Sequence, residues 1–526
     1  MTILRTLTAV ALAVLLSVAR ADAQTNAPDP LLTAPERTDF IETTRYVDVR
    51  DFMRSVADAS PLIHLTTFGY TMEGRALPLA VVGRIADPSP AGVRASGRTV
   101  IYLQGGIHAG EVEGKEVLLM LLREVAQGQH GELLDSLVLL VAPVLNADGN
   151  ERVELTNRPL QHGPIGGMGT RANAQGLNIN RDHMKLDTPE ARSFAQMLNA
   201  YDPDIGVDLH TTNGTRHAYH LTYSPPLHPS TDPRVTGILN QELFPRLRDE
   251  VRRRYGWEFY DYGNLQGEGE SRGWYTFDYR ALFNNNYLGL RNRLGVLSEA
   301  YSYATFEERI VATKLFVEET LGFAHENATE IRRLVEEVDG TSLVGETLTV
   351  RAEPERSAEP VEILLGGTTE ERNPYSGAPM LRRTDERRAE RMSEYLTFAP
   401  TVEERVPAAY LVPPELAEVL ATLETHGVSM EALTTGDELA VERFIIEQQD
   451  IADQEFEGRI ERTIEGNWES DSVPLPEGWF RIPLDQPLGR LIFALLEPRS
   501  ADGLATWGTL GDVMDGASHY PILRVP

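Results

Sequence analysis

The sequence predicts an α/β protein. A mixed, mostly parallel sheet with helices on both faces is expected over residues 40–338, followed by an α+β or β-rich C-terminal domain over 342–526. Short apolar runs alternate with longer amphipathic segments through the first region. Near Asp339 the composition changes, proline and charge become dense, and short β-like runs follow. Within the first region, chemically active side chains fall just after the apolar runs, and open α/β sheets bind ligands outside the carboxyl ends of their strands.

The predicted strands are LPLAVVG (77–83), TVIYLQGG (99–106), LVLLVAPV (137–144), IGVDL (205–209) and LGVLS (294–298). They are apolar almost throughout, as strands covered on both faces must be. EGKEVLLMLLREVAQG (113–128) predicts a helix closed by Gly128. TPEARSFAQMLNAY (188–201) predicts another, with Thr188 as N-cap and Pro189 at the first helical position. Residues 305–338 read as helical throughout, and PPELAEVLATLETHG (413–427) as a helix between a proline start and a glycine stop.

Composition narrows the function. The 526-residue chain carries a net charge of -30 and a pI of about 4.8. That balance argues against nucleic acid or an anionic membrane as partner. There are no cysteines, which excludes thiolate catalysis, disulfides and cysteine-ligated zinc. Arg5, the apolar stretch 7–18 and Ala21-Asp22-Ala23 read as a signal peptide over 1–23, so the mature protein is expected to be secreted or periplasmic, without a stable membrane span. Residues 24–39 read as a linker before the catalytic domain.

Four side chains stand out. His108 and Glu111 follow VIYLQGG, His210 follows DIGVDL and Glu299 follows LGVLS. Three separate strands thus deliver two imidazoles and two carboxylates to one sheet edge. Two His and one Glu around an open fourth position make a catalytic zinc site, and a second carboxylate can act as general base. His108 and Glu111 are spaced three apart at a predicted helix start, where they would share a face. Glu113 and Glu116 are expected at the surface. His183 reads as a cleft wall. Other readings stand beside these: a buried, hydrogen-bonded His210; Glu299 as ion-pair partner of Arg291 or Arg293; and a metal set of His210, His217 and His220, which would leave His108 and Glu111 idle.

The elements EGR (73–75), HAGE (108–111), PVLNADG (143–149), GLNINR (176–181), DLHT (208–211) and the strand ending in Glu299 occur in an order that resembles the zinc carboxypeptidase family, the carboxypeptidase A-like metallopeptidases. Two His and one Glu is the known ligand set of carboxypeptidase A. The resemblance implies Zn2+ held by His108, Glu111 and His210. It implies Glu299 as the base that takes a proton from zinc-activated water and passes it to the leaving amine. It implies Asn180 and Arg181 as the grip on the terminal carboxylate of a peptide substrate with a free C-terminus. Arg171 is expected to polarise the scissile carbonyl, with Arg158 as the alternative. Tyr287 is chosen over Tyr275 and Tyr279 as the substrate-capping tyrosine. One departure is clear: where the family carries an Asp that orients a ligand imidazole, this chain has Asn178, and Asp208 is the other candidate for that charge. The implied function is an exported zinc-dependent metallocarboxypeptidase. The alternatives are an amide hydrolase or deacylase on the same fold, acting on N-acyl amino acids or cell-wall peptides, and a non-catalytic peptide-binding module.

Overall fold

An eight-stranded mixed sheet organises the catalytic region. In chain order its strands are β1 (Ile63–Tyr70), β2 (Ala76–Val82), β3 (Thr99–Gly105), β4 (Leu137–Ala142), β5 (Ile205–Thr211), β6 (Leu221–Ser224) and β7 (Phe259–Asp261); after β8 (Asn264–Gln266) and β9 (Gly273–Tyr275), which lie elsewhere, comes β10 (Leu294–Ala300). The order across the sheet is β1-β2-β4-β3-β5-β10-β6-β7. The central strands β4, β3, β5 and β10 are mutually parallel, while β1, β2 and β6 join antiparallel to their inner neighbours. Every strand expected in this sheet is present. The unforeseen ones are β1, half exposed and without a clean alternation, and the short β6 and β7.

This computed structural model describes residues 31–526, apart from 213, 435–437 and 475–476. The expected signal peptide lies outside the described residues, as does the linker up to residue 30. From Thr33 onward the linker reading is corrected: Ala34–Arg37 forms a helical turn, and Glu36 accepts from Arg123 at 2.7 Å, pinning the segment to the catalytic domain.

Helices cover both faces of the sheet. One core packs under helices Tyr46–Ala59, Glu113–Ala126 and Phe306–Glu326. The other lies under helices Pro189–Tyr201 and Asn284–Leu290 and runs on, without a break, into the residues after 342. Thr188 caps Pro189–Tyr201 as expected, its hydroxyl accepting from Ala191 N at 3.1 Å. The long helical stretch, expected to be continuous, divides at Asn327, whose side chain donates to Phe323 O and competes with the helix backbone.

The C-terminal region is β-rich and shares its structure with the catalytic domain. β11 (Thr347–Glu355) pairs with β14 (Thr397–Arg405). β12 (Val361–Arg372) and β13 (Pro379–Tyr395) form a hairpin that continues through β9 into β8. The last sheet contains β15 (Ala409–Val412), β16 (Glu431–Ala432), β17 (Glu438–Phe456), β18 (Arg459–Pro474), β19 (Phe480–Pro483) and β20 (Leu523–Val525). The tip of its long β17–β18 hairpin reaches the catalytic region. Among the described residues no helix is long and apolar enough to cross a membrane.

Candidate active site

Strand β3 ends at Gly105, and Gly106 turns the chain at φ +64, a conformation open to glycine at little cost. His108 and Glu111 sit in the turn that follows, closed by Glu111 N donating to His108 O at 2.9 Å. The helix begins only at Glu113, so a turn, not a helix face, brings the pair together. Glu113 and Glu116 are buried, which corrects their expected place at the surface. Glu113 faces Arg309 and Thr211, and Glu116 accepts from the side chains of Thr43 and Thr44. Both anchor a helix that is enclosed on nearly all sides.

β5 carries His210 and β10 carries Glu299, and the two are register partners across the parallel pair. His108 Nδ1 lies 3.1 Å from Glu111 Oε1, and His210 Nδ1 lies 2.8 Å from Glu111 Oε2. One donor atom from each of the three buried residues falls within 4.8 Å of the others. The outer imidazole nitrogens are held as well. His108 Nε2 meets Asn178 Oδ1 at 2.9 Å; His210 Nε2 meets Asp208 Oδ2 at 2.8 Å, while Gln104 donates to Asp208 Oδ1. Both acceptors that the sequence offered for orienting an imidazole are therefore in use, one per ring.

Electrostatics separate the two carboxylates. Burial is the largest influence on both. For Glu111 it is outweighed by the Arg158 guanidinium and the imidazoles, which hold the carboxyl well below its usual range. For Glu299 it wins, with the negative charge of Glu111 adding to it, and the pKa is raised. Glu299 Oε2 is buried with no hydrogen-bond partner among the described residues. Burial lowers His108 to about 4, whereas Asp208 and Glu111 overcome burial at His210 and raise it. Two oriented imidazole nitrogens, one carboxylate and an unpartnered buried carboxylate beside them fit a tetrahedral zinc with one open position.

Three arginines line the same cleft, which encloses about 480 Å³. Arg158 is fully engaged: Nη1 donates to Glu111 at 2.7 Å, Nη2 to Thr211 O at 2.9 Å and Nε to Gln161 at 3.0 Å. Arg171 is 44% exposed and comes within 3.2 Å of His108 Nδ1. Arg181 stacks on Phe283 at 3.9 Å and donates to Asn180 O at 2.6 Å. Among the described residues it has no carboxylate within ion-pairing distance, and burial, with Arg171 next, pulls its pKa down to about 10. Asn180 accepts from Asn284 N at 2.9 Å and also lines the cleft.

Tyr287 is not a capping residue. It is fully buried in helix Asn284–Leu290, its hydroxyl 2.8 Å from His426 Nδ1 and its ring stacked on His183. The helix is enclosed between the sheet and the C-terminal region, so neither Tyr287 nor His183 reaches the cleft, and the cleft-wall reading of His183 is corrected with it. The tyrosine that does line the cleft is Tyr262, beside Phe277, Phe283 and Leu297. Leu297 could have been found, since it shares a strand face with Glu299 by the two-residue period; nothing in the sequence marks the rings. His217 packs against Tyr301 and His220 stacks on Trp257, so the rival histidine set does not assemble. Arg293 pairs with Asp202 and Asp339, and Arg291 bonds Tyr287 and Asn199, leaving Glu299 free of both.

Residues 49–277 match the zinc carboxypeptidase family model. Over that stretch the chain is similar to a zinc carboxypeptidase domain, and the match, with the relatives that follow, supports a metallocarboxypeptidase. Carboxypeptidase 2 of Trichophyton tonsurans is 24% identical over 508 residues, spanning 92% of this chain and 86% of that one. Carboxypeptidase D of Rattus norvegicus is 29% identical over 210 residues, or 36% of this chain and 15% of that one. A crystal structure of a metallo-carboxypeptidase from Burkholderia cenocepacia aligns with 54% of this chain and 69% of its own at 15% identity and a TM-score of 0.40.

Proposed function

We propose that the protein removes the C-terminal residue from peptides with a free C-terminus, using zinc held by His108, Glu111 and His210. The observation that carries this is Arg181, a largely buried guanidinium without a carboxylate partner among the described residues, in the same cleft as the ligand set. A fork of this kind binds a carboxylate through two parallel hydrogen bonds. When bound, zinc supplies a Lewis acid for the scissile carbonyl and makes water acidic enough to react near neutrality.

The chain's own residues do the rest. Arg181 and Asn180 fix the terminal carboxylate. Arg171, free of competing carbonyl bonds, donates to the scissile carbonyl oxygen as negative charge develops there. Arg158 stays on Glu111 and holds it in place. Glu299 takes a proton from the attacking water and hands it to the departing amine, and its raised pKa suits a group that must hold that proton between the two steps. We also propose export, on the strength of the N-terminal segment ending at Ala23.

Incubation of the zinc-loaded protein with a free peptide and its C-terminally amidated twin tests the reading. Amino acids should be released from the free end only, and a chelator should stop release until zinc is restored. Hydrolysis of N-acyl amino acids with peptides left intact would assign a deacylase. Peptide binding with no turnover would assign a binding module.

A further inference from the structure

The tip of the β17–β18 hairpin lies far from the ligand set in sequence and outside the residues matched by the family model. Yet it touches the segment that holds the site together. Glu457 and Gly458 form the tip, both at positive φ (49 and 82). Glu457 Oε2 accepts the backbone N–H of Asn178 at 2.8 Å. Asn178 in turn meets His108 Nε2 with its side-chain oxygen, and the same oxygen accepts from Asn180 N at 3.0 Å. Its carbonyl accepts from Arg181 N at 3.0 Å. One residue therefore ties a zinc-ligand imidazole to the start of the Asn180-Arg181 pair, and Glu457 ties that residue to the hairpin.

The tip is itself fixed. Arg459 forks onto Asp187 at 2.5 and 3.0 Å, Phe456 stacks on Trp507 and Glu461 pairs with Arg280 at 2.9 Å. A charge-assisted bond from a braced carboxylate to a backbone N–H is strong and directional. Asn178 caps the single 3-10 turn Ile179–Arg181, and fixing that cap removes freedom that would otherwise blur the geometry of both functions.

We infer that Glu457 is a positioning residue: by holding Asn178 it sets both the orientation of His108 toward zinc and the placement of Arg181 toward the substrate carboxylate. This rests on the carboxypeptidase reading, and makes the C-terminal region part of the working site.

The test compares Glu457→Ala and Glu457→Gln in the full-length zinc-loaded protein. Two quantities are read: the rate of zinc loss to a chelator, and KM apart from kcat on an N-blocked dipeptide with a free C-terminus. Glu457→Ala should lose zinc about tenfold faster and raise KM about tenfold, the scale of one charge-assisted hydrogen bond. Glu457→Gln keeps an acceptor for the Asn178 N–H and should recover most of both. Unchanged zinc loss and KM in a folded Glu457→Ala protein would overturn the inference while leaving the carboxypeptidase reading intact. So would a lowered KM in both variants, which would make Glu457 a negative charge opposing the substrate carboxylate. A Glu457→Gln protein as impaired as Glu457→Ala would overturn the hydrogen-bond basis. Failure of the wild type to cleave the dipeptide would instead sink the reading on which the inference rests.

Discussion

Asn178 Oδ1 lies 2.9 Å from Nε2 of His108, whereas the matching nitrogen of His210 faces a carboxylate, Asp208, at 2.8 Å. The two imidazoles proposed to hold zinc are thus oriented alike but polarised differently. An amide oxygen fixes the tautomer without the charge that raises ligand basicity. His108 should accordingly be the weaker donor of the pair.

Replacing Asn178 with Asp should therefore tighten zinc. Changes in groups that orient ligand imidazoles typically alter metal affinity ~10–100-fold, and competition with a chelator would place the variant in that range. The carboxylate of Glu457, already on the Asn178 backbone, offsets part of the gain. Retention equal to or weaker than wild type would mean that orientation alone, not charge, is what His108 requires.

Glu299→Gln isolates the proton-transfer role. The strand register sets Glu299 beside His210, and its second oxygen has no partner among the described residues. The variant should keep its zinc and its fold but lose ~10²–10⁴ in kcat, the range for a positioned acid–base group. Metal analysis beside single-turnover kinetics checks both halves. Zinc lost along with activity would make Glu299 a ligand and leave Glu111 in need of another role.

The parts of the site that sit on strands were legible in the sequence because a buried parallel strand is an unmistakable apolar run, and its carboxyl end is where side chains become available. That argument reached His108, His210 and Glu299 without any knowledge of the tertiary packing. It failed where the outcome depends on which way an element faces. Tyr287, chosen over Tyr275 and Tyr279, lies in an enclosed helix, whereas the tyrosine on the cleft wall is Tyr262, which no sequence pattern singles out. Glu113 and Glu116 read as surface charges until the flanking segments close over them. Glu457 was out of reach altogether, since nothing local signals a contact with Asn178 across 279 positions.

Stability should fall as pH rises through the weakly acidic range, through Asp502. It is buried in the C-terminal region and accepts from Leu282 N at 2.6 Å and Trp507 Nε1 at 2.8 Å. Burial pushes its pKa up to about 7, against the pull of Arg280 and Trp507. A carboxyl whose folded pKa is raised favours the native state fully below its unfolded value, near ~4, and loses that contribution as pH rises toward 7. The swing is on the order of 4 kcal/mol at about 1.4 kcal/mol per unit. Asp502→Asn should be less stable than wild type at pH 4 and should show a shallower decline between pH 4 and 7 in denaturant titrations. Parallel pH profiles for the two proteins would exclude Asp502 as the source.

Arg181 gives the sharpest separation of an exopeptidase from its rivals. Its guanidinium lies over the Phe283 ring at 3.9 Å and is mostly buried, so it is costly to leave without an anion. A free α-carboxylate supplies that anion, and an amidated terminus does not. Truncating one member of a buried charged pair costs roughly 2–5 kcal/mol, so free peptides should be cleaved at least ~30-fold faster than amidated ones, at 1.4 kcal/mol per decade. In Arg181→Ala the free peptide should slow toward the amidated rate while zinc content stays at wild type, because the substitution leaves His108, Glu111, His210 and their acceptors untouched. Arg171→Ala should behave differently, slowing both peptides alike, since a scissile carbonyl is present in each. If Arg181→Ala kept the preference for a free terminus, or if wild type showed none, the terminal carboxylate would not be what this cleft reads, and the same zinc site would belong to an endopeptidase or a deacylase.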